Sequence, residues 1–544
     1  MTYHKKMSKG RHKIMKKQST KRVIASLCTV SVATALTAAC SSSEPSKPAA
    51  TGGGSQPSAS ASAAPATISL IQPDGGRVWK DDNPATKEIE KKANVKLNVT
   101  MLPNNDFNSK FNVLAASGDI PDMSRLGSFD YQKYVDQGLF LDLTKLIDQY
   151  APNLKKNLKP ELWELTKHKG KQFVIPYENG AGKEVPAVRK DWLDALNMKM
   201  PTNLDEFEQM LKAFTFNDPD KNGKNDTYGM GNANSFAEAF MPIFGAYGIA
   251  PGMFASSVPM NSYLKDNKIV PVAVSPEYKD ALAYIKKLWD AKVIDPEIFT
   301  IKADQAQQKI AQGKIGYFNA WWSVAPQTLT QQLKMKEIVP NVKWEPISPG
   351  IKGPAGKSGM LSFGNVGATI AISAKTKNPE AVLRFLDYMS TDEGWELNHY
   401  GIKGTHYTSI TEARTPEGQK AFDEKWLDPL SQIVSRVDIQ NKINAATKDP
   451  IQIENNKYTD AAASYNLISD IFYGIPATDE QNTLGPDVAK YEVEMFLKFV
   501  TGAEPLSNWD SYVETWKKKG GKSLLDSKIK KYNELKSSNV SAGL

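Results

Sequence analysis

Oxygen-bearing side chains at a fixed spacing are the sharpest chemical signal in this 544-residue chain. Counting Asp218 as position 1, Asp218, Asp220, Asn222 and Asp226 fall at positions 1, 3, 5 and 9. Gly223 stands at 6, where such a loop turns sharply, and Lys224 at 7 offers its backbone carbonyl. A cage of hard oxygens suits Ca²⁺. Position 12 is Gly229 instead of a bidentate Glu, and Thr227-Tyr228-Gly229 reads as a strand, so a last ligand must come from elsewhere or from water. The plainer alternative is a solvated Asx-Gly turn. In the metal reading the ion supplies stability and not chemistry.

The second signal is Leu36-Thr37-Ala38-Ala39-Cys40, which closes an apolar run, Val23 to Ala39, that follows nine Lys/Arg and no acidic residue. Basic leader, apolar run and small residues before a cysteine are the three parts of a secretory signal. Seventeen residues reach only about 25 Å as a helix, and five Ser/Thr dilute them, so the run reads as cleaved and not as spanning. The expected boundaries are a signal peptide over 1–39, then over 40–66 a lipidated Cys40 and a tether of Ser, Pro, Ala and Gly. That composition cannot bury enough apolar surface to offset its ordering entropy. Cys28 leaves with the leader, so Cys40 has no disulfide partner, and a thioether to diacylglycerol, with palmitate-type chains, accounts for it. The net charge of +8 belongs to the leader: without its nine cations, 59 Lys+Arg face 60 Asp+Glu. The basic balance therefore carries no argument for nucleic acid.

The elements that must position these residues begin at Thr67. Short β-branched runs alternate with helical patterns, which predicts an α/β fold with a mainly parallel sheet. Expected strands are Ile68 to Ile71, Val95 to Met101, Gln172 to Tyr177, Ile315 to Phe318 and Val366 to Ser373. Expected helices include Pro84 to Ala93, Phe107 to Ala116, Pro276 to Ala291 and Pro379 to Met389, with a mostly helical stretch from Val437 on. Thr202 with Asp205 predicts a capping box, opening a helix whose Leu204, Phe207, Leu211 and Phe214 share one face. About 478 residues exceed one core and predict two lobes. Parallel sheets gather loops beyond the carboxyl ends of their strands. That rule selects Asp74, Trp79, Asn104, Asp106, Glu178, Asn179, Asn319, Trp321 and Trp322.

The stretches AASGDIPD (Ala115 to Asp122), GKQFVIPY (Gly170 to Tyr177), VRKDWLDALNMKMPTNLDEF (Val188 to Phe207), DPDKNGKNDTYG (Asp218 to Gly229), NPEAVLRFLDY (Asn378 to Tyr388) and KFVTGAEPLSNWDSYV (Lys498 to Val513), together with Cys40, carry a family resemblance. The chain resembles the family 1 extracellular solute-binding lipoproteins of bacterial ABC importers, in the LplA-like oligosaccharide branch that includes alginate-binding proteins. The resemblance implies a type II periplasmic-binding-protein-like fold: two α/β lobes, a hinge crossed more than once, and an interlobar cleft that closes on a sugar chain. It implies lobes of 67–178 plus 367–427 and 179–366 plus 428–544. It further implies a monomer that hands its ligand to permease subunits from the outer face of the cell membrane, with a structural calcium at the Asp218 loop. Lys403 departs from a Glu common in that branch.

A pyranose presents C–H faces to aromatic rings and hydroxyls to polar side chains, so Trp321 and Trp322 are expected to place one ring in the cleft and one in the core. Tyr177 with Glu178, Asn104 with Asp106, Asp122, Asn319, Trp79 and His406 complete the expected ligand set, and Arg125 and Arg189 are the candidates for a carboxylate. Trp192 and Trp509 are expected to pack, and Lys517 to Lys519 to form a solvated helix face. The alternative is a lipid-anchored glycoside hydrolase or polysaccharide lyase, and a third class is an adhesin or co-receptor. No HExxH, GxSxG or Walker pattern appears, and His168, His399 and His406 are the histidines beyond the leader, at spacings that suit no zinc site.

Overall fold

The computed structural model describes residues 64–179, 184–252, 261–321, 330, 333–362 and 364–537. Cys40, its leader, the tether up to 63 and Trp322 lie outside them. Two sheets organise the chain, built from β1 (Ala66–Pro73), β2 (Val95–Leu102), β3 (Met123–Leu126), β4 (Val174–Glu178), β5 (Glu184–Arg189), β6 (Tyr228–Met230), β7 (Ile315–Trp321), β8 (Trp344–Pro346) and β9 (Val366–Ile372). The first sheet runs β2-β1-β3-β9-β4 and the second β8-β5-β7-β6.

Pattern and position agree strand by strand. β1 lies inside its sheet and buries Ile68, Leu70 and Ile71, whereas edge strand β2 alternates, Val95 and Leu97 inward and Lys96 and Asn98 outward. Helix α1 (Pro84–Ala93) starts where Asn83 Oδ1 accepts from the amides of Ala85 and Thr86. It stops at Asn94, whose φ of 51° turns the chain left-handed. Helix α2 (Asn104–Ser117) begins three residues before the expected Phe107 and ends at Gly118, φ 72°.

Only part of the sheet pairing is parallel. β1 pairs parallel with β2 and β3, and β7 with β6, but β9 is antiparallel to β3 and β4, and β5 is antiparallel to β7 and β8. The physical reason is the hinge: a chain that re-enters a lobe across the cleft arrives at the carboxyl ends of its strands and runs back against them. A sequence rich in βα alternation does not show that reversal.

Helix α3 (Leu204–Phe216) anchors the second lobe. Its cap is displaced one residue from the expected Thr202–Asp205 box: Asn203 Oδ1 accepts from the Glu206 amide at 3.0 Å, and Glu206 Oε2 accepts from both the amide and hydroxyl of Thr202 at 2.8 Å. Its apolar face does pack as the period required. Phe207 meets Tyr317 edge-on at 4.8 Å and Phe214 meets Trp192 at 5.3 Å, contacts worth about 0.5–1.5 kcal/mol each beyond burial. Gly316 permits this approach, since a Cβ there would lie 2.3 Å from the Phe214 ring. Trp192 and Trp509 are buried in the same core, with Phe240 and Phe244 from α4 (Phe236–Ala246).

Three connections join the lobes. β4 leads to β5, and the stretch after Leu361 returns to β9, the two segments linked by Asn179 N donating to Asn365 O at 2.7 Å. The third comes later than the expected boundary at 427. Leu430, Ile433 and Val434 belong to the first lobe's core, and Ile439 and Ile443 pack on Trp395 beside it; Tyr458 and Ala461 of helix α5 (Pro450–Ser464) join the second. Composition is uniform across that boundary, so only packing places it.

Candidate functional site

At the carboxyl ends of the first sheet, Asp74 and Asn104 shape the turn after β1: their Oδ1 atoms accept from Gly76 N at 3.1 Å and Gly75 N at 3.3 Å. Asn104 and Asp106 are exposed on the first turn of α2. Arg77 closes on Asp428 through two 3.0 Å bonds. Trp79 is half-buried against the core, its Nε1 donating to Asp81 at 2.8 Å. Tyr177 is half-buried and donates to Ser431 O at 3.2 Å.

Several expected ligand residues are committed to the fold. Asp122 accepts from the amide and hydroxyl of Ser69 at 2.9 and 2.6 Å and from Thr376 at 2.7 Å. Burial works against its charge, but those hydrogen bonds outweigh it and hold the carboxyl below the usual range. It ties β1 to β3 and offers a ligand little free capacity. Glu178 is buried, paired with Lys159 at 2.6 Å. Arg189 is 1% exposed, its Nε and Nη2 bidentate to Asp191 and its plane stacked over Trp192 at 4.4 Å, with Nη1 buried and unpartnered, so it is held in the core and not presented to a ligand. His406 is likewise buried, its Nδ1 accepting from Ile402 N at 2.9 Å, and burial lowers its proton affinity; it pins its own turn. In each case a polar residue found a protein partner, which spacing does not reveal.

The second wall contains residues the sequence did not single out. β5 begins and β7 ends at the same level, Glu184 opposite Trp321. Asn319, fully buried, donates to Glu184 Oε2 at 2.9 Å and to the Glu238 carbonyl at 2.7 Å, while its Oδ1 has no partner. Burial pushes the Glu184 carboxyl up to about 8, with Glu238 adding to it, and burial pushes Glu238 up to about 7 against hydrogen bonds from Asn234 and Trp321. The wall therefore joins a half-exposed indole to two carboxyl groups that hold protons near neutrality. One signal was legible: Ser235-x-x-Glu238 is a helix-start pattern, and Ser235 does accept from the Glu238 amide at 3.4 Å. Nothing in the sequence distinguished Glu184 from a surface strand residue.

The oxygen-rich loop is folded onto itself. Asp218 accepts from the amides of Asn222 and Gly223 at 3.0 Å, and Asn222 Nδ2 donates to Asp220 at 2.8 Å and Asp226 at 3.2 Å. Among the described residues, no group of three His, Cys, Asp or Glu side chains is placed to hold a metal ion. Burial and the neighbouring carboxylates Asp218 and Asp226 push Asp220 up, which leaves three carboxyl groups on one short loop with Lys314 as a cation on Asp226. The donor types and order fit calcium; the donors are turned onto amides.

Comparison with known proteins places this architecture. The polygalacturonan/rhamnogalacturonan-binding protein YtcQ of Bacillus subtilis is 27% identical over 448 residues, 81% of this chain and 86% of its own. Lipoprotein LipO of the same organism is 28% identical, covering 89% and 95%. Among solved structures, Streptococcus pneumoniae FusA, an ABC-transporter substrate-binding protein in complex with kestose, superposes with a TM-score of 0.67 at 20% identity, covering 87% of this chain and all of FusA. Alginate-binding protein AlgQ2, solved without calcium ion, gives 0.66 at 24%, covering 87% and 99%. The model of the bacterial extracellular solute-binding proteins matches residues 62–394, and the chain belongs to that family.

Proposed function

We propose that this protein captures an oligosaccharide between its two lobes and passes it intact to a membrane permease, held at the outer membrane face by lipid on Cys40. The observation that carries the reading is the end of β7, where the partly buried Trp321 ring stands beside Glu238; the reading sets this wall across the hinge from the polar turns of the first sheet. An indole plate gives a pyranose its apolar contact, and neighbouring carboxyl and amide groups orient its hydroxyls. Ligand that touches both walls stabilises the closed form by its differential affinity. The sugar-binding names of YtcQ and FusA support the ligand class.

The hydrolase alternative needs two carboxyl groups flanking a glycosidic bond. Glu184 and Glu238 lie on one wall, and Glu184 is buried behind Asn319, which favours binding over cleavage. The Asp218 loop is read as a calcium site in which Asp218, Asp220, Asn222, the Lys224 carbonyl and Asp226 hold the ion. It would neutralise the crowded carboxylates and stiffen the loop.

The test is titration of the mature protein with plant and algal oligosaccharides, following tryptophan fluorescence and, in parallel, ligand chain length. Saturable quenching with unchanged sugar is expected. Trp321→Ala is expected to weaken binding more than tenfold, on the scale of about 1.5–3 kcal/mol for burying a large apolar side chain. Shortened sugar would overturn the transport reading.

A further inference from the structure

Three strands of the first sheet place one polar residue each at the carboxyl end of the face that carries the core. Leu70, Met123 and Ile175 are core residues, and two positions on stand Gln72, Arg125 and Tyr177. β1 and β3 pair at Ile71–Ser124, so Gln72 and Arg125 follow side by side. The segment after Asp428 crosses above them, its Pro429 and Ser431 carbonyls accepting from Gln72 at 2.8 Å and Tyr177 at 3.2 Å.

Arg125 differs from the other sequestered arginines. Arg77, Arg189 and Arg436 each close on carboxylates, and Arg414 lies over the Tyr400 and Phe422 rings. Among the described residues Arg125 has neither an acceptor nor a ring: its Nε, like that of Arg414, is buried without a hydrogen-bond partner, and the like-charged Arg77 acts on it. Gln72 Oε1 and Ser431 Oγ beside it also lack partners. A guanidinium nitrogen held out of water with no acceptor is costly, and the side chain stays partly exposed, so its outer nitrogens can be reached. Its retention is explained if the acceptor arrives with the ligand.

Resting on the oligosaccharide reading, we infer that Arg125 is the recognition point for a carboxylate on the sugar chain, so that the ligand class is an acidic, uronate-containing oligosaccharide. The planar fork of arginine fits a carboxylate bidentately. Burial raises the carboxyls of Glu184, to about 8, and Glu238, to about 7, so the second wall carries less than its full negative charge near neutrality.

The test uses the full mature protein with oligogalacturonate and oligoalginate, and with the same chains after chemical reduction of their carboxylates to alcohols. The native protein is expected to bind at least one acidic chain about 10- to 100-fold more tightly than its reduced counterpart. Arg125→Gln is expected to erase that difference by weakening the acidic chain far more than the reduced chain. Arg125→Lys, which keeps the charge but loses the fork, is expected to fall between; it also serves if the Gln variant does not fold. Equal or tighter binding of reduced chains by the native protein, or equal weakening of both by Arg125→Gln, overturns the inference and leaves the oligosaccharide reading standing. Failure of every acidic chain also overturns it, and failure of neutral oligosaccharides as well removes the broader reading.

Discussion

Glu492 provides a quantitative check on the buried electrostatics of the second lobe. It lies in helix α6 (Asp479–Thr501), 2% exposed, with Oε1 accepting from Trp516 Nε1 at 2.7 Å. Burial pushes its carboxyl from 4.5 up to about 7, against the Trp516 hydrogen bond, which favours the charge. Between pH 4.5 and about 7 the folded state therefore keeps a proton that the unfolded chain has released. The folded state binds more protons across that window, so stability falls as pH rises through it. At about 1.4 kcal/mol per pH unit, the loss reaches about 3 kcal/mol by pH 8 as an upper figure. Glu492→Gln keeps an acceptor for Trp516 and removes the ionisation. The variant is expected to match the native protein at pH 4 and to exceed it by up to about 3 kcal/mol at pH 8, measured by urea unfolding at both pH values. A gain of equal size at pH 4 and pH 8 would refute the argument, since it would come from packing or hydrogen bonding and not from a buried charge.

Two further outcomes follow from other regions. Tyr473 accepts from Val366 N at 3.0 Å at the start of β9 and meets Phe129 edge-on at 5.2 Å; Tyr473→Phe keeps the ring contact and strands the amide. It is expected to cost about 1–3 kcal/mol locally, seen as faster hydrogen exchange at Val366, and unchanged exchange there would contradict the latch. Calcium at about a hundred times its dissociation constant is expected to stabilise the protein by about 2.7 kcal/mol, reversed by chelator and absent in Asp220→Asn. A melting temperature indifferent to chelator in the native protein would remove the metal from the Asp218 loop.

The hinge chemistry and the loop chemistry were legible to different degrees. The oxygen spacing from Asp218 to Asp226 is a local property, set by residues within one turn of each other, and the sequence displayed it. That its donors satisfy backbone amides, and that Asn222 joins Asp220 to Asp226, depends on loop conformation. Arg125 and Arg189 looked alike as isolated basic residues at strand ends. Asp191, two positions on, captures Arg189, while nothing among the described residues captures Arg125. Glu184 was invisible, and Glu238 showed only as a helix-start residue, because their significance is a shared burial around Asn319, and these three residues are far apart in the chain.

By itself the sequence determined what depends on period and neighbours: the βα alternation, the buried face of Leu204, Phe207, Leu211 and Phe214, and membership in a two-lobed family. Those follow from side-chain period and from short-range hydrogen bonding, which act within a few residues. Tertiary structure alone decided the antiparallel entry of β9, the crossing beyond Ile443, and which polar side chains remain available to a ligand. Availability is what is left after every buried donor and acceptor has sought a partner, and those partners are chosen by packing across the whole fold.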